Sequence, residues 1–394
     1  MKKLVKLTVL SPVHIGDERG KRTQLEFFEE YAFIHIFSED KLIRALKQKG
    51  KISAFLNYLE QQPYPSLKRF WQHIHPKDRN FILKEATVRK IRKGAFNIKS
   101  LQPHISDPIT SIPYIPGSSI KGSLRSALLY YFVSENTNPF IKVFEKLIKE
   151  RNLKNRKEIG TELDVYYFQS NNIKGKNRLK KGGNTDLMRL VKVSDAFVRK
   201  EYRSNQISEV VRVKIVSLNN NGGFHFSKSR DSDIEVFVEV IKPGTELIFE
   251  IDIDEFLKEF IETNGHRKKE YQYDQGDMEE LLRKALITKY EKLLIEEKDF
   301  FEKCGLYSEE NNSYMKKSFD TLIKKGVNFR IGWGTGLLNM TPNLFLGKDK
   351  RQELRSNFFQ RRSNPVFPQS RKVIVDENDR ITDTLGWCKL EFLE

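Results

Sequence analysis

The sequence predicts an α+β protein of two domains, residues 1–205 and 206–394, each of the split βαβ kind. Three observations predict it. Short segments rich in β-branched and aromatic residues occur near both ends and in the middle of the chain, segments of helical periodicity separate them, and both halves share this order of strands around helices. No clean sequence repeat accompanies the shared order. At 394 residues, 38% of them hydrophobic and 11% aromatic, the chain has the apolar material for two cores.

Lys3 to Leu10 alternate apolar and polar residues before Ser11-Pro12, which predicts a first strand, and Tyr31 to Phe37 predicts a second. Glu39 to Glu60 reads as helical. Pro63, Pro65, Pro76, Pro103 and Pro108 interrupt residues 61–112, which predicts loops with short helices. Ile112-Pro113-Tyr114-Ile115-Pro116-Gly117 is a stiff lead into the helix SSIKGSLRSALLYYF. The basic segments 149–157 and 174–183 predict exposed loops. Leu190 to Val198 and Val210 to Leu218 predict strands, and Ile234 to Ile253 a hairpin closed by a type II turn at Lys242-Pro243-Gly244-Thr245. A long helix from Met278 to Cys304 follows, then a strand from Val327 to Ile331 and a glycine loop from Gly332 to Gly336. A basic stretch from Lys348 to Lys372 and a strand from Leu385 to Phe392 close the chain.

Lys and Arg number 70 against 53 Asp and Glu, a formal charge of +17. A polyanion would relieve the resulting self-repulsion through phosphate neutralisation and counterion release, so nucleic acid is the expected partner. A membrane is not: no apolar run reaches the roughly 18 residues of a spanning helix, and the N-terminus lacks the features of a signal peptide. Cys304 and Cys388 lie far apart with no CxxC spacing, which gives neither a disulfide framework nor a zinc site and fits a cytoplasmic protein.

The segment from Pro116 to Tyr131 is the most informative. Ile120, Leu124, Ala127, Leu128 and Tyr131 form an apolar stripe at helical spacing, and Ser118 or Ser119 can cap the start. Lys121 and Arg125 stand one turn apart near the free N–H groups of the first turn, where like charges repel by about 0.2–0.5 kcal/mol and cations oppose the helix dipole. A bound phosphate reverses both penalties. The other reading is an ordinary capped surface helix. Ser123 stands where a nucleotide-hydrolysing P-loop needs lysine, so that motif is excluded.

In Arg330-Ile331-Gly332-Trp333-Gly334-Thr335-Gly336, Leu337 replaces the third glycine of a dinucleotide fingerprint. Arg330 as charge and Trp333 as stacking surface suit single-stranded RNA; a structural turn with a core tryptophan is the alternative. His14, at the end of the first strand, is either an RNA contact or acid/base group, or a structural histidine. His73, His75 and Asp78 lack the HxHxDH spacing and read as a surface turn, and no complete catalytic motif occurs.

Four pieces, LTVLSPVHIG, IPGSSIKGSLRSALL, LVKVSDAF and FRIGWGTGLLNMT, together resemble the RAMP superfamily of CRISPR proteins. SPVHIG, the WGTG loop and the TLGWCKLEF ending look most like the family of fifth Csm subunits of type III-A effector complexes. The resemblance implies two ferredoxin-like or RRM-like RAMP domains with helical insertions, the first in residues 1–205 and the second, with the glycine-rich loop, in 206–394. It also implies a non-catalytic RNA-binding subunit that caps the backbone filament near the 3′ end of the CRISPR RNA and supports its maturation. Implied partners are CRISPR RNA, target RNA, sister subunits, above all the backbone RAMP subunit, and recruited cellular nucleases. No cofactor is implied. Ser118, Ser119, Lys121 and Arg125 would contact the RNA backbone, and Arg330, Gly332, Trp333, Gly334, Thr335 and Gly336 would shape its groove. The competing functions are a RAMP-type CRISPR RNA processing endoribonuclease using His14, and an enzyme with a closed pocket for a small phosphorylated substrate.

Overall fold

A computed structural model describes residues 2–150, 153–168, 186–198, 204–230, 232–254, 278–308, 313–359 and 366–393. Its strands are β1 (Lys2–Val9), β2 (Phe27–Glu30), β3 (Phe33–Phe37), β4 (Thr87–Lys93), β5 (Leu101–Gln102), β6 (Val191–Val193), β7 (Ser208–Leu218), β8 (Phe224–Phe226), β9 (Lys228–Ser229), β10 (Ser232–Asp233), β11 (Glu235–Ile241), β12 (Glu246–Ile253), β13 (Phe329–Arg330), β14 (Ser370–Val375), β15 (Ile381–Thr384) and β16 (Trp387–Phe392). Its helices are α1 (Glu39–Gln48), α2 (Ile52–Gln61), α3 (Leu67–Trp71), α4 (Pro76–Ala86), α5 (Gly117–Glu135), α6 (Asn138–Lys149), α7 (Leu153–Phe168), α8 (Ser204–Ile207), α9 (Met278–Lys303), α10 (Tyr314–Lys324), α11 (Gly336–Met340) and α12 (Lys348–Phe359).

The strands form an antiparallel five-stranded sheet, ordered β13-β16-β1-β12-β6, and a nine-stranded sheet ordered β15-β14-β7-β4-β3-β2, in which β5 joins through β11, and β8 and β11 pair with β7. Alternation in β1 decides its faces: Val5, Leu7 and Val9 are fully buried, while Lys2 and Lys6 pair with Glu246, Glu250 and Glu391 on the other side. The predicted stripe of α5 is also real. Ile120, Leu124, Ala127 and Leu128 are fully buried in one core with β1, β12 and the Leu282, Ala285 and Leu286 face of α9. Two helices on one face of an antiparallel sheet confirm the α+β class.

Several local expectations are corrected. The 39–60 helix is two helices, because Gly50 takes φ 62° between α1 and α2. The proline-interrupted region contains a full strand, β4, paired with β3. Residues 149–157 are not all loop, since α7 begins at Leu153; residues 174–183 lie outside the described residues.

The predicted turn at Lys242–Thr245 forms, with Gly244 at φ 87° and the Thr245 N–H donating to Lys242 O at 3.3 Å. Its arms are not a hairpin. β11 pairs with β7 and β5, β12 with β1 and β6, so the turn passes the chain from one sheet to the other. The reason is steric: the Gly244 N–H bonds to Val9 O and Val13 bridges Ile241, so another piece of chain runs between the arms.

Each sheet takes strands from both sides of position 205, which lies inside α8. No helix among the described residues is long and apolar enough to cross a membrane.

Candidate nucleic-acid interface

SPVHIG, the glycine loop and TLGW meet where the chain crosses between the sheets. The Trp387 N–H donates to Ser11 Oγ at 2.9 Å, the Gly386 N–H to Pro12 O at 2.9 Å and the Trp333 N–H to His14 O at 2.8 Å. Gly332, at φ 95°, is required twice, by that angle and because a Cβ would lie 2.5 Å from His14 O. Gly334, at φ 87°, faces the Leu385 side chain instead of a backbone carbonyl, and Thr335 is buried with its hydroxyl on Gly332 O. Most of the loop is thus shaped against its own chain. Gly336 has open space where a Cβ would stand, and its φ of 81° alone calls for glycine.

Two expected contact residues are buried. Arg330 is 1% exposed: its guanidinium bonds Glu297 at 3.0 Å and Leu385 O at 3.0 Å and lies 4.3 Å over the Trp387 ring. Arg371 binds the same carboxylate at 2.5 Å. Burial pushes Glu297 up, but the two guanidiniums outweigh it and hold the carboxyl below its usual range.

His14 is also 1% exposed, with Nδ1 on Glu239 O at 2.7 Å and its ring edge-on to His104 and Trp333. Burial pushes His14 down to about 4 and His104 to about 3, so both are neutral near pH 7. Neither Arg330 nor His14 can reach RNA without rebuilding the core. Trp333 is partly exposed, and the Lys372 ammonium sits 4.5 Å over its ring.

The motif helix differs in detail from its expected form. Neither Ser118 nor Ser119 caps α5; Pro116 is the N-cap residue, and the Gly117 N–H donates to Asp195 Oδ1 at 2.7 Å. Gly117 is needed because a Cβ there would lie 2.3 Å from Val193 O. Arg125 is engaged within the chain, bonded to Asp186 at 2.8 Å and Asp164 at 3.1 Å and lying 4.0 Å over Phe168.

That leaves Ser118, Ser119, Lys121 and Gly122 as the outward part. Lys121 has no carboxylate within 4 Å among the described residues, and burial holds its pKa below the ordinary lysine value. Gly122 is exposed, with nothing within 4 Å of where a Cβ would be.

No hydrogen bond or ion pair among the described residues joins Ser118–Arg125 to the glycine loop. The link is at the next residue, where Ser126 Oγ donates to Asn339 O of α11 at 3.1 Å. The fully buried Lys289 donates to both, at 2.8 and 2.7 Å.

His73, His75 and Asp78 do not converge: His75 caps α4 and Asp78 pairs with Lys49 and Lys51. No group of three or more metal-ligating side chains occurs among the described residues.

A feature the sequence did not single out lies beside the glycine loop. A groove of about 1140 Å³ runs past Gly334 and Gly336, with His225 and Lys228 in one wall and Arg355 and Lys372 in the other. The signal for it was the basic stretch 348–372, which carries no motif to say where its charges converge.

The description "RAMP superfamily" matches residues 6–339 of the sequence. This chain belongs to the RAMP superfamily. Among RAMP relatives, a protein described as CRISPR system Cms protein Csm5 from Methanocaldococcus jannaschii is 24% identical over 431 aligned residues, covering 99% of this chain and 89% of its own length. A protein of the same description from Enterococcus italicus is 30% identical over 168 residues, 36% of this chain and 45% of the relative.

Among solved structures, a chain of the cryo-EM Csm-crRNA-target RNA ternary complex of a type III-A CRISPR-Cas system superposes with a TM-score of 0.68 at 20% identity, over 99% of this chain and 100% of that one. The crystal structure of T.onnurineus Csm5 superposes with a TM-score of 0.63 at 20% identity, over 97% and 99%. This chain therefore shares its fold with those two structures over nearly its whole length.

Proposed function

We propose that this RAMP protein is a non-catalytic RNA-binding subunit of a type III-A, Csm-type CRISPR effector complex. In this reading it caps the backbone filament near the 3′ end of the CRISPR RNA and supports maturation of that RNA. Its partners are CRISPR RNA, target RNA, the sister subunits and the nucleases that trim the RNA end, and its place is the cytoplasm. The whole-length likeness to Csm5 proteins supports the complex.

One observation supports the RNA contact: the outward face of the first turns of α5. A glycine inside a helix costs roughly 0.5–1 kcal/mol relative to alanine, and nothing in the described chain approaches Gly122 to require it. An outside backbone passing close over the helix would require it. Lys121, one residue away, makes no ion pair within 4 Å among the described residues, with Asp186 acting on it only at longer range; it supplies the charge for a phosphate, and the Ser118 hydroxyl adds a donor. The endoribonuclease reading loses support, because its only named acid/base group, His14, is sealed in the core.

The test is the pair Lys121→Ala and Gly122→Ala. Both should weaken RNA binding by the purified chain and retention of CRISPR RNA by the co-expressed complex. Gly122→Ala should at the same time raise stability by roughly 0.5–1 kcal/mol. RNA binding equal to wild type in both variants removes this helix from the interface.

A further inference from the structure

We infer that one buried water is a fixed part of the fold where the chain crosses between the sheets, donating to His104 and Glu239 and accepting from Arg89. These side chains converge on one carboxylate. Glu239 of β11 is 0% exposed, and its Oε2 takes the Arg89 guanidinium of β4 at 2.6 Å and the His104 backbone N–H at 2.9 Å. The carbonyl oxygen of Glu239 takes His14 Nδ1 at 2.7 Å, the His14 and His104 rings meet edge-on with centroids 6.0 Å apart, and His104 bridges Gly16. SPVHIG is thereby tied to the nine-stranded sheet.

Three polar atoms of this cluster are buried and have no hydrogen-bond partner among the described residues: His104 Nε2, Glu239 Oε1 and Arg89 Nη1. Such atoms are rare in folded interiors, where polar groups pair with protein or with ordered water. The tautomer of His104 decides what each of them needs. Its Nδ1 lies 2.7 Å from Ile105 O, and a carbonyl can only accept, so the proton of this neutral ring sits on Nδ1 and Nε2 is a bare acceptor. Glu239 Oε1 is a second acceptor and cannot bond the first. Arg89 Nη1 is a donor. The Ser208 hydroxyl also bears on Glu239, but a carboxylate oxygen has room for two bonds, and His104 Nε2 still lacks a donor.

Two acceptors and one donor are the complement of a single water, which has two hydrogens to give and lone pairs to receive. Other occupants fail at one of the three atoms. An ammonium has no lone pair for Arg89, an alcohol has one hydrogen for two acceptors, an anion faces two acceptors, and a metal cation faces the Arg89 guanidinium. The water joins β4 and β11 to the segment that carries His104, and RNA has no part in it.

A crystal structure of the purified full-length chain, refined at a resolution that shows ordered solvent, is the test. One peak should stand at hydrogen-bond distance, roughly 2.7–3.2 Å, from His104 Nε2, Glu239 Oε1 and Arg89 Nη1 together. No peak there, or Arg89 or Ser208 bonded directly to His104 Nε2, overturns the water. So does a peak at about 2.0–2.2 Å with anomalous scattering, which is a metal.

Nitrogen NMR of histidine-labelled protein reads the same bond in solution. The His104 Nε2 resonance, identified by its loss in His104→Gln, should lie upfield of a bare imidazole nitrogen; a resonance at the bare position overturns the water. His104→Phe keeps the bulk of the ring and removes Nε2, so the peak should vanish or move in a crystal of that variant. A peak unmoved and fully occupied there shows that His104 does not hold it, and the site as described falls.

Discussion

Two glycines of one motif obey opposite requirements. Gly117 has no room for a Cβ, and Gly122 has nothing to fear from one. Gly117→Ala should therefore destabilise the protein by roughly 1–3 kcal/mol, the range for overpacking a tight contact, measurable by urea denaturation. Lys289 offers a second prediction at this scale. Burial, with Arg330 adding to it, pushes its pKa down to about 7 from an ordinary 10.5. Between those values the unfolded chain binds more protons than the folded one, so stability should rise with pH from 7 toward 10.5. Lys289→Met should abolish that rise, as denaturation at pH 7 and pH 9 would show. The residue scale is where the sequence misleads most. Arg330 beside a glycine loop reads as surface charge, because nothing local reveals that Glu297, a full helix away in sequence, turns inward to meet it.

Elements were more legible than the contacts between them. The apolar stripe of α5, the length of α9 and the Pro-Gly turn each follow from spacing within a dozen residues, and each is present. Pairing is not local. That β11 and β12 part at their turn depends on residues 9–13 lying between them, which no periodicity in residues 234–253 encodes. The missed β4 has a related cause: prolines on both sides marked the region as loop, whereas its partner β3 makes the strand. Arg125 is the test at this scale. Its two carboxylates and the Phe168 face tie α5 to α7 and to the chain at Asp186, so Arg125→Ala should cost roughly 1 kcal/mol of stability, as expected for a partly exposed pair with a cation–π contact. Removing Lys121 should cost almost nothing. The same two residues looked equivalent in sequence, one turn apart on one face, and what separates them is that Arg125 bonds Asp186 and Asp164 directly while Lys121 feels Asp186 only at longer range.

For the whole molecule, the governing fact is that β1 is central in the five-stranded sheet, held by β12 on one side and β16 on the other. The closing strand was read correctly from TLGWCKLEF, but its neighbour was not, since the pairing joins the two extremes of the chain. Deleting residues from Trp387 onward should therefore unpair β1 along Val5–Val9, strip Trp387 and Leu390 from the core, and give a chain that aggregates, detectable by light scattering during refolding. During translation, β1 is the first of the described strands to leave the ribosome, and its sheet cannot close until β16, about 380 residues later, is made. The pairings of β12 with β1 and β6 can form once residue 253 is made, but those of β16 with β1 and β13 wait for residues 387–392, and a chain that lacks them cannot present the finished sheet to an assembling partner. The β1–β16 pairing thus makes the finished sheet depend on residues 387–392, ahead of any RNA.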